Sequence, residues 1–223
     1  MLLPRLTAAG GSLAVLVTVA MIGALDLTVG AVSRTISVYA LGPYRWVFDS
    51  AVLLLAAGSL AILGVLVHRG LTSWRSGGAI FLQLWAVGLA LVVAFPKHNW
   101  AVGPSMSGSI HRFASLLAFV SLPVALVLLA RPWLRHARWA SHARWTLGAG
   151  VLSVLAFAPI LYAVGVNVAV GTAWWRVFPL GYTERLLVAT EVAALLILGV
   201  WALASTASPA RPRSASRSPA AVA

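Results

Sequence analysis

The sequence predicts an all-α, polytopic bundle of six transmembrane helices with both termini in the cytoplasm. Three observations carry that prediction. Of the 223 residues, 61% are hydrophobic and only 9% charged, whereas soluble domains carry about a quarter charged residues. The apolar residues gather in six runs, each near the ~20 residues that a bilayer core requires. The charges fall mostly between the runs and in a C-terminal tail. Backbone amides in hydrocarbon must be satisfied within their own segment, so the runs are read as helices.

The first expected span is Ala8–Val29, following Arg5. Its apolar part exceeds the ~7–15 residues of a signal-peptide core, and no Ala-x-Ala-like site follows it, so it is read as a helix of the domain. The second is Trp46–Val67, with Asp49 in its first turn, where the helix dipole favours an acid. The third, Gly77–Phe95, is the shortest, contains Gln83 and stops at the Phe95-Pro96 pair. The fourth, Ser109–Ala130, opens with His111 and Arg112 and contains Pro123. The fifth, Trp145–Val166, contains Pro159. Both internal prolines are expected to kink their helices. The sixth, Glu184–Ala204, opens on Glu184 and Arg185 and carries Glu191 seven residues later. Residues 1–204 thus form one transmembrane domain. Ser205–Ala223 is Ser, Pro, Ala and Arg with too little apolar surface to fold, and is expected to be a disordered, basic, cytoplasmic tail.

Orientation follows the basic residues. Arg5, Arg69, Arg75, Arg131, Arg135, Arg138, Arg144, Arg211, Arg213 and Arg217 share one side, ten against the six of Arg34, Arg45, Lys97, Arg112, Arg176 and Arg185. The richer side is taken as cytoplasmic, in the cell membrane. All four acids, Asp26, Asp49, Glu184 and Glu191, then lie in the outer half. Aromatic belts are expected at the interfaces: Tyr39, Tyr44, Trp46, Trp100, Trp174, Trp175 and Tyr182 outside, and Trp74, Trp133, Trp139, Trp145 and Trp201 inside. The loop Arg131–Arg144, with four arginines, Trp133, Trp139, His136 and His142, reads as a segment lying on anionic lipid.

Composition also excludes. With no cysteine there are no disulfides and no thiolate metal sites. The net charge of +12 follows from topology, so no nucleic-acid partner is expected; membrane lipids are. No phosphate-binding loop, dinucleotide glycine fingerprint, Gly-x-Ser-x-Gly or His-Glu-x-x-His is present. His98 and His111 could share a metal only with carboxylates joining them, so no metal and no cofactor are expected.

The candidate functional residues are the polar groups at or below the outer interface. A charge facing lipid near mid-depth costs about 2.5–3.5 kcal/mol even on the lenient insertion scale, so such groups face protein and often carry function. Catalytic candidates are His111, Asp49, Glu184 and Glu191; ligand-binding candidates are Asp26, Arg34, His98, Arg112 and Arg185. Asp49 and Glu184 are equally explained as helix N-terminal acids, and His111 as an interfacial histidine with a hydrogen bond and no task. Asp26 and Glu191 lie deeper and need partners, for which Arg185, Arg112 and a histidine are available. If the bundle closes, Asp26, Asp49, His111, Glu191 and Arg185 are expected in one outward-opening cluster.

Four features together resemble the domain-of-unknown-function 998 family of prokaryotic integral membrane proteins. They are the Ser-rich first outer loop (Ser33 to Gly42), the Phe95-Pro96 pair, His111 opening the next helix, and the Gly-x-x-x-Arg-Leu entry to the last helix (Gly181, Arg185, Leu186). Lys97 and His98 stand where the family pattern leads one to look for an acid, and Glu184 where an amide is more usual. The resemblance implies the multi-helix fold and an outer polar site, and implies no reaction. The expected function is an outward polar pocket that takes a lipid head group or small anion. The alternatives are a membrane-embedded hydrolase or transferase using His111 with the outer carboxylates, and a small transporter.

Overall fold

A computed structural model describes residues 2–99, 101–171 and 179–207. Six helices are present: α1 (Leu2–Val29), α2 (Arg45–His68), α3 (Gly77–Ala94), α4 (Met106–Ala130), α5 (Ala140–Val170) and α6 (Leu180–Thr206). Each is long and apolar enough to cross a membrane, and there is no strand among the described residues. The chain is a multi-pass membrane protein.

Consecutive helices pack on one another, and α6 also packs on α1, α2 and α4, so the bundle closes. Small residues set the closest approach, as is usual where lipid offers no hydrophobic drive between helices. At the α1–α2 crossing a Cβ on Gly11 would stand 2.9 Å from the Gly58 carbonyl oxygen, and one on Gly58 would stand 2.8 Å from that of Gly11. Only glycine fits at either place.

The two ends of the bundle are tied differently. At one end Trp133 Nε1 donates to the Leu71 carbonyl (2.9 Å) and Arg69 Nε to the Ser205 carbonyl (3.0 Å). At the other, the loop between α1 and α2 folds over the start of α6 and against the loop before α4. That loop contains a short 3-10 helix, Ile36–Leu41. The candidate site lies there.

Several expected boundaries move, each for a local reason. Helix α4 begins at Met106, because the Ser105 hydroxyl caps it by accepting from Gly108 N (3.1 Å). His111 therefore sits in the second turn. Helix α5 begins at Ala140, which leaves only Arg131–Trp139 as loop. Helix α6 begins at Leu180, so Glu184 is not at its N-terminus, and Asp49 likewise is the fifth residue of α2. Helix α6 also runs to Thr206, with Ser205 and Thr206 buried, two residues into the expected tail. The tail from residue 208 on, and Trp100, Trp174, Trp175 and Arg176, lie outside the described residues.

Tryptophans Trp46, Trp74 and Trp145 are exposed as belt residues should be, but Tyr39, Trp139 and Trp201 are buried. Trp201 instead packs edge-on against Trp133 with ring centroids 6.5 Å apart. Trp85, at mid-span, donates its indole N–H to Ser59 Oγ (3.2 Å).

Candidate functional site

Arg185 organises this end of the bundle. Its Nε donates to Asp26 Oδ2 (3.1 Å) and its Nη2 to Asp26 Oδ1 (2.6 Å), a two-pronged ion pair. Nη2 also reaches the Tyr39 hydroxyl (3.3 Å). Nη1 donates to the carbonyls of Val32 (2.9 Å), Arg34 (2.7 Å) and Gly181 (3.0 Å). A guanidinium has five N–H donors, and every nitrogen here is engaged. Tyr39 donates to Asp26 Oδ1 (2.5 Å). Burial, then its hydrogen bond to Asp26, pushes the Tyr39 phenol above its ordinary range. Gly181 lets the loop approach, since a Cβ there would meet the Val32 carbonyl oxygen at 2.5 Å.

The result is a staple from α1 through the loop to α6. Asp26 and Arg185, expected to bind ligand, are turned on each other. Asp49 is not with them: it pairs with Arg45 one turn back (3.0 Å).

A second set of contacts flanks the staple. Glu184 Oε2 accepts from Ile36 N (2.6 Å), satisfying the first turn of the 3-10 helix. Lys97 Nζ donates to Thr35 Oγ1 (2.7 Å) on the same loop. Burial pulls the Lys97 ammonium below its ordinary range; the charge of Glu184 opposes this and that of Arg34 adds to it. His98 is buried against the α4 N-terminus, where its Nδ1 accepts from Ser105 N (2.9 Å). This contact seats that turn.

The Phe-Pro pair and the histidine explain each other. A helix carbonyl accepts from the N–H four residues on. For Val92 that residue is Pro96, which has no N–H. His111 Nδ1 supplies the missing donor, lying 3.1 Å from the Val92 carbonyl and 2.8 Å from that of Phe95. Carbonyls only accept, so Nδ1 carries a proton. His111 thereby ties α4 to the frayed end of α3. A family model described as a protein of unknown function (DUF998) matches residues 8–201, which contain this motif and the whole staple.

The chain belongs to the DUF998 family. Comparison with curated proteins and with solved structures gives no match.

In this DUF998 chain the expected single cluster is therefore divided. The charged groups that bear on His111 are Lys97 and His98, with no carboxylate among them. Glu191 is wholly buried, and neither of its oxygens makes a hydrogen bond among the described residues. It lies about 10 Å deeper along α6 than Glu184, at 1.5 Å per residue. Arg112 is exposed, and it makes no hydrogen bond or ion pair among the described residues. Nor do the described residues hold a group of three or more His, Asp or Glu placed to bind a metal.

A groove and a cavity formed by described residues lie at this end of the DUF998 chain. An open groove of about 450 Å³ is lined by residues of the first loop, chiefly Arg34, Tyr39 and Tyr44, together with Thr28 and Asn99. Arg34 is exposed, and its guanidinium has no hydrogen bond or ion pair among the described residues. An inner cavity of about 80 Å³ lies inside the bundle, where Glu184 and His111 are lining residues among apolar side chains. Sequence reasoning missed Tyr39, Thr35 and Lys97 as members of the site. The proline at Pro96 was the signal for the His111 contact.

Proposed function

We propose that the protein binds a phosphate-like anion, a lipid head group or the free ion, in the outer groove at Arg34, on the extracytoplasmic face of the cell membrane. One observation carries this reading. Arg34 lines the groove without a hydrogen-bonding or ionic partner among the described residues, and its charge falls on Lys97, itself already disfavoured by burial. Two cations held near each other are an electrostatic demand for an anion. Tyr44, Thr28 and Asn99 add neutral polar groups around the opening. The extracytoplasmic assignment rests on the ten-to-six distribution of basic residues.

The hydrolase or transferase reading is weaker. One nitrogen of His111 is held by backbone carbonyls, and the Ser115 hydroxyl donates to the His111 carbonyl (2.9 Å) and not to its ring. Ser115 and the His111 ring therefore do not form a nucleophile–base pair. The transporter reading needs a polar path through the opposite half, where the helices carry almost no ionisable residue.

The test is native mass spectrometry of protein from nanodiscs, with phosphatidylglycerol in one arm and inorganic phosphate in neutral lipid in the other. Retained lipid in the first arm, lost in Arg34→Ala, supports a head group. Saturable phosphate in the second, lost in the same variant, supports the free ion. Equal retention by wild type and Arg34→Ala in both arms contradicts the proposal.

A further inference from the structure

The inner cavity carries an inference independent of the groove. Its hydroxyl donors are already engaged. Thr18 donates to the carbonyls of Ala14 (3.0 Å) and Ala51 (2.9 Å), Ser115 to that of His111 (2.9 Å), and Ser37 to Thr35 Oγ1 (3.3 Å). Besides the lone pairs of those hydroxyls, two acceptors among the lining residues have a position without a partner among the described residues. With Nδ1 protonated and donating, His111 in its neutral form has a lone pair on Nε2, which has no partner among the described residues. Glu184 accepts from Ile36 N through Oε2 only, which leaves Oε1.

The rest of the wall is apolar: Phe48, Val52, Leu55, Leu89, Phe119 and Val188. A water needs roughly 10–15 Å³ of such volume and two to four polar partners. The cavity of about 80 Å³ has room for several waters, but most of its wall offers them no polar partner.

We infer that the inner cavity is a binding site for the hydroxyl end of an aliphatic alcohol. The hydroxyl donates to His111 Nε2 or to Glu184 Oε1, and the chain lies against the apolar wall. A donor-bearing apolar ligand complements both halves of this surface.

The experiment uses the full chain in neutral-lipid nanodiscs, with ¹⁵N-labelled histidine. The probes are 1-hexanol and methyl pentyl ether, which has the same heavy-atom count and no donor. Hexanol is expected to move the His111 Nε2 resonance saturably and to raise thermal stability; the ether is expected to do neither. Val188→Phe, which fills the cavity, is expected to abolish both responses. Glu184→Gln is expected to weaken the stabilisation. Arg34→Ala is expected to leave the hexanol response intact, so failure of the anion reading and failure of this one are told apart. An unmoved resonance, an equal response to the ether, or a response that survives Val188→Phe overturns the inference.

Discussion

Two arginines meet at one end of this bundle and do opposite things. Arg185 is largely buried, with a side-chain exposure of 16%, and every nitrogen of its guanidinium is engaged, one bond ending on the carbonyl of Arg34. Arg34 is exposed and its own guanidinium makes no hydrogen bond or ion pair among the described residues. Residue type and depth were the same kind of evidence for both. What separates them is satisfaction: a cation with all donors occupied holds structure, and one with none occupied can hold a ligand.

The comparison breaks most visibly at the staple. Arg185→Ala leaves Asp26 without its cation and three carbonyls without a donor. Removing one partner of a largely buried pair costs about 3–5 kcal/mol, and the partial exposure of this one places it at the lower end. Arg185→Lys is expected to recover little, since a single ammonium cannot replace the planar fork. Unfolding in mixed detergent and SDS checks both. A loss under about 1 kcal/mol, the range of an exposed pair, would return Arg185 to the class of Arg34.

The next effect belongs to His111. His111→Ala leaves the Val92 and Phe95 carbonyls without their donor, at about 1–3 kcal/mol. Pro96→Ala restores the N–H that Val92 lacks. In a double-mutant cycle, His111→Ala is therefore expected to cost about 1 kcal/mol less in the Pro96→Ala background. Strict additivity would mean that the histidine does not stand in for the missing amide.

Much of this was legible in the sequence. The six spans follow from apolar run length alone, and closure of the bundle brought Asp26 to Arg185, one of the partners open to it. The cluster did not form because depth along a helix is readable from residue number, whereas the neighbour a face meets is not. Asp49 had Arg45 four residues away, a local pair that needed no tertiary partner. Tyr39 reads as an interfacial aromatic until the loop is seen folding its hydroxyl onto Asp26. The role of His111 could have been reached earlier, because a proline four residues after a helix carbonyl always leaves that carbonyl in need of a donor.

Glu191 sharpens the comparison from the other side, as a buried acid with no hydrogen bond among the described residues. If it holds structure, it lacks the contacts that make Arg185 do so. Glu191→Leu is then expected to be neutral or stabilising, since an apolar residue of similar volume removes a desolvation penalty. A marked fall in the SDS midpoint would reveal a partner that matters. The smallest effect is at the C-terminus. Truncation after Ala207 is expected to leave stability unchanged, while truncation after Ala204 removes the Ser205 carbonyl that Arg69 uses and costs about 1 kcal/mol.

The central claim is that Arg34, without a partner among the described residues and close enough for its charge to act on Lys97, is the seat of a bound anion. The titration of Lys97 tests it most directly, followed by NMR of labelled lysine in neutral nanodiscs and in nanodiscs containing phosphatidylglycerol. The Lys97 ammonium starts below its ordinary range, through burial and the charge of Arg34. A bound anion favours the charged form, so anionic lipid should raise the Lys97 pKa in the wild type. In Arg34→Ala the starting value should already be higher, and the further rise with anionic lipid should be smaller. The same rise in both proteins would mean that Lys97 senses only the general surface potential, and would contradict a site at Arg34.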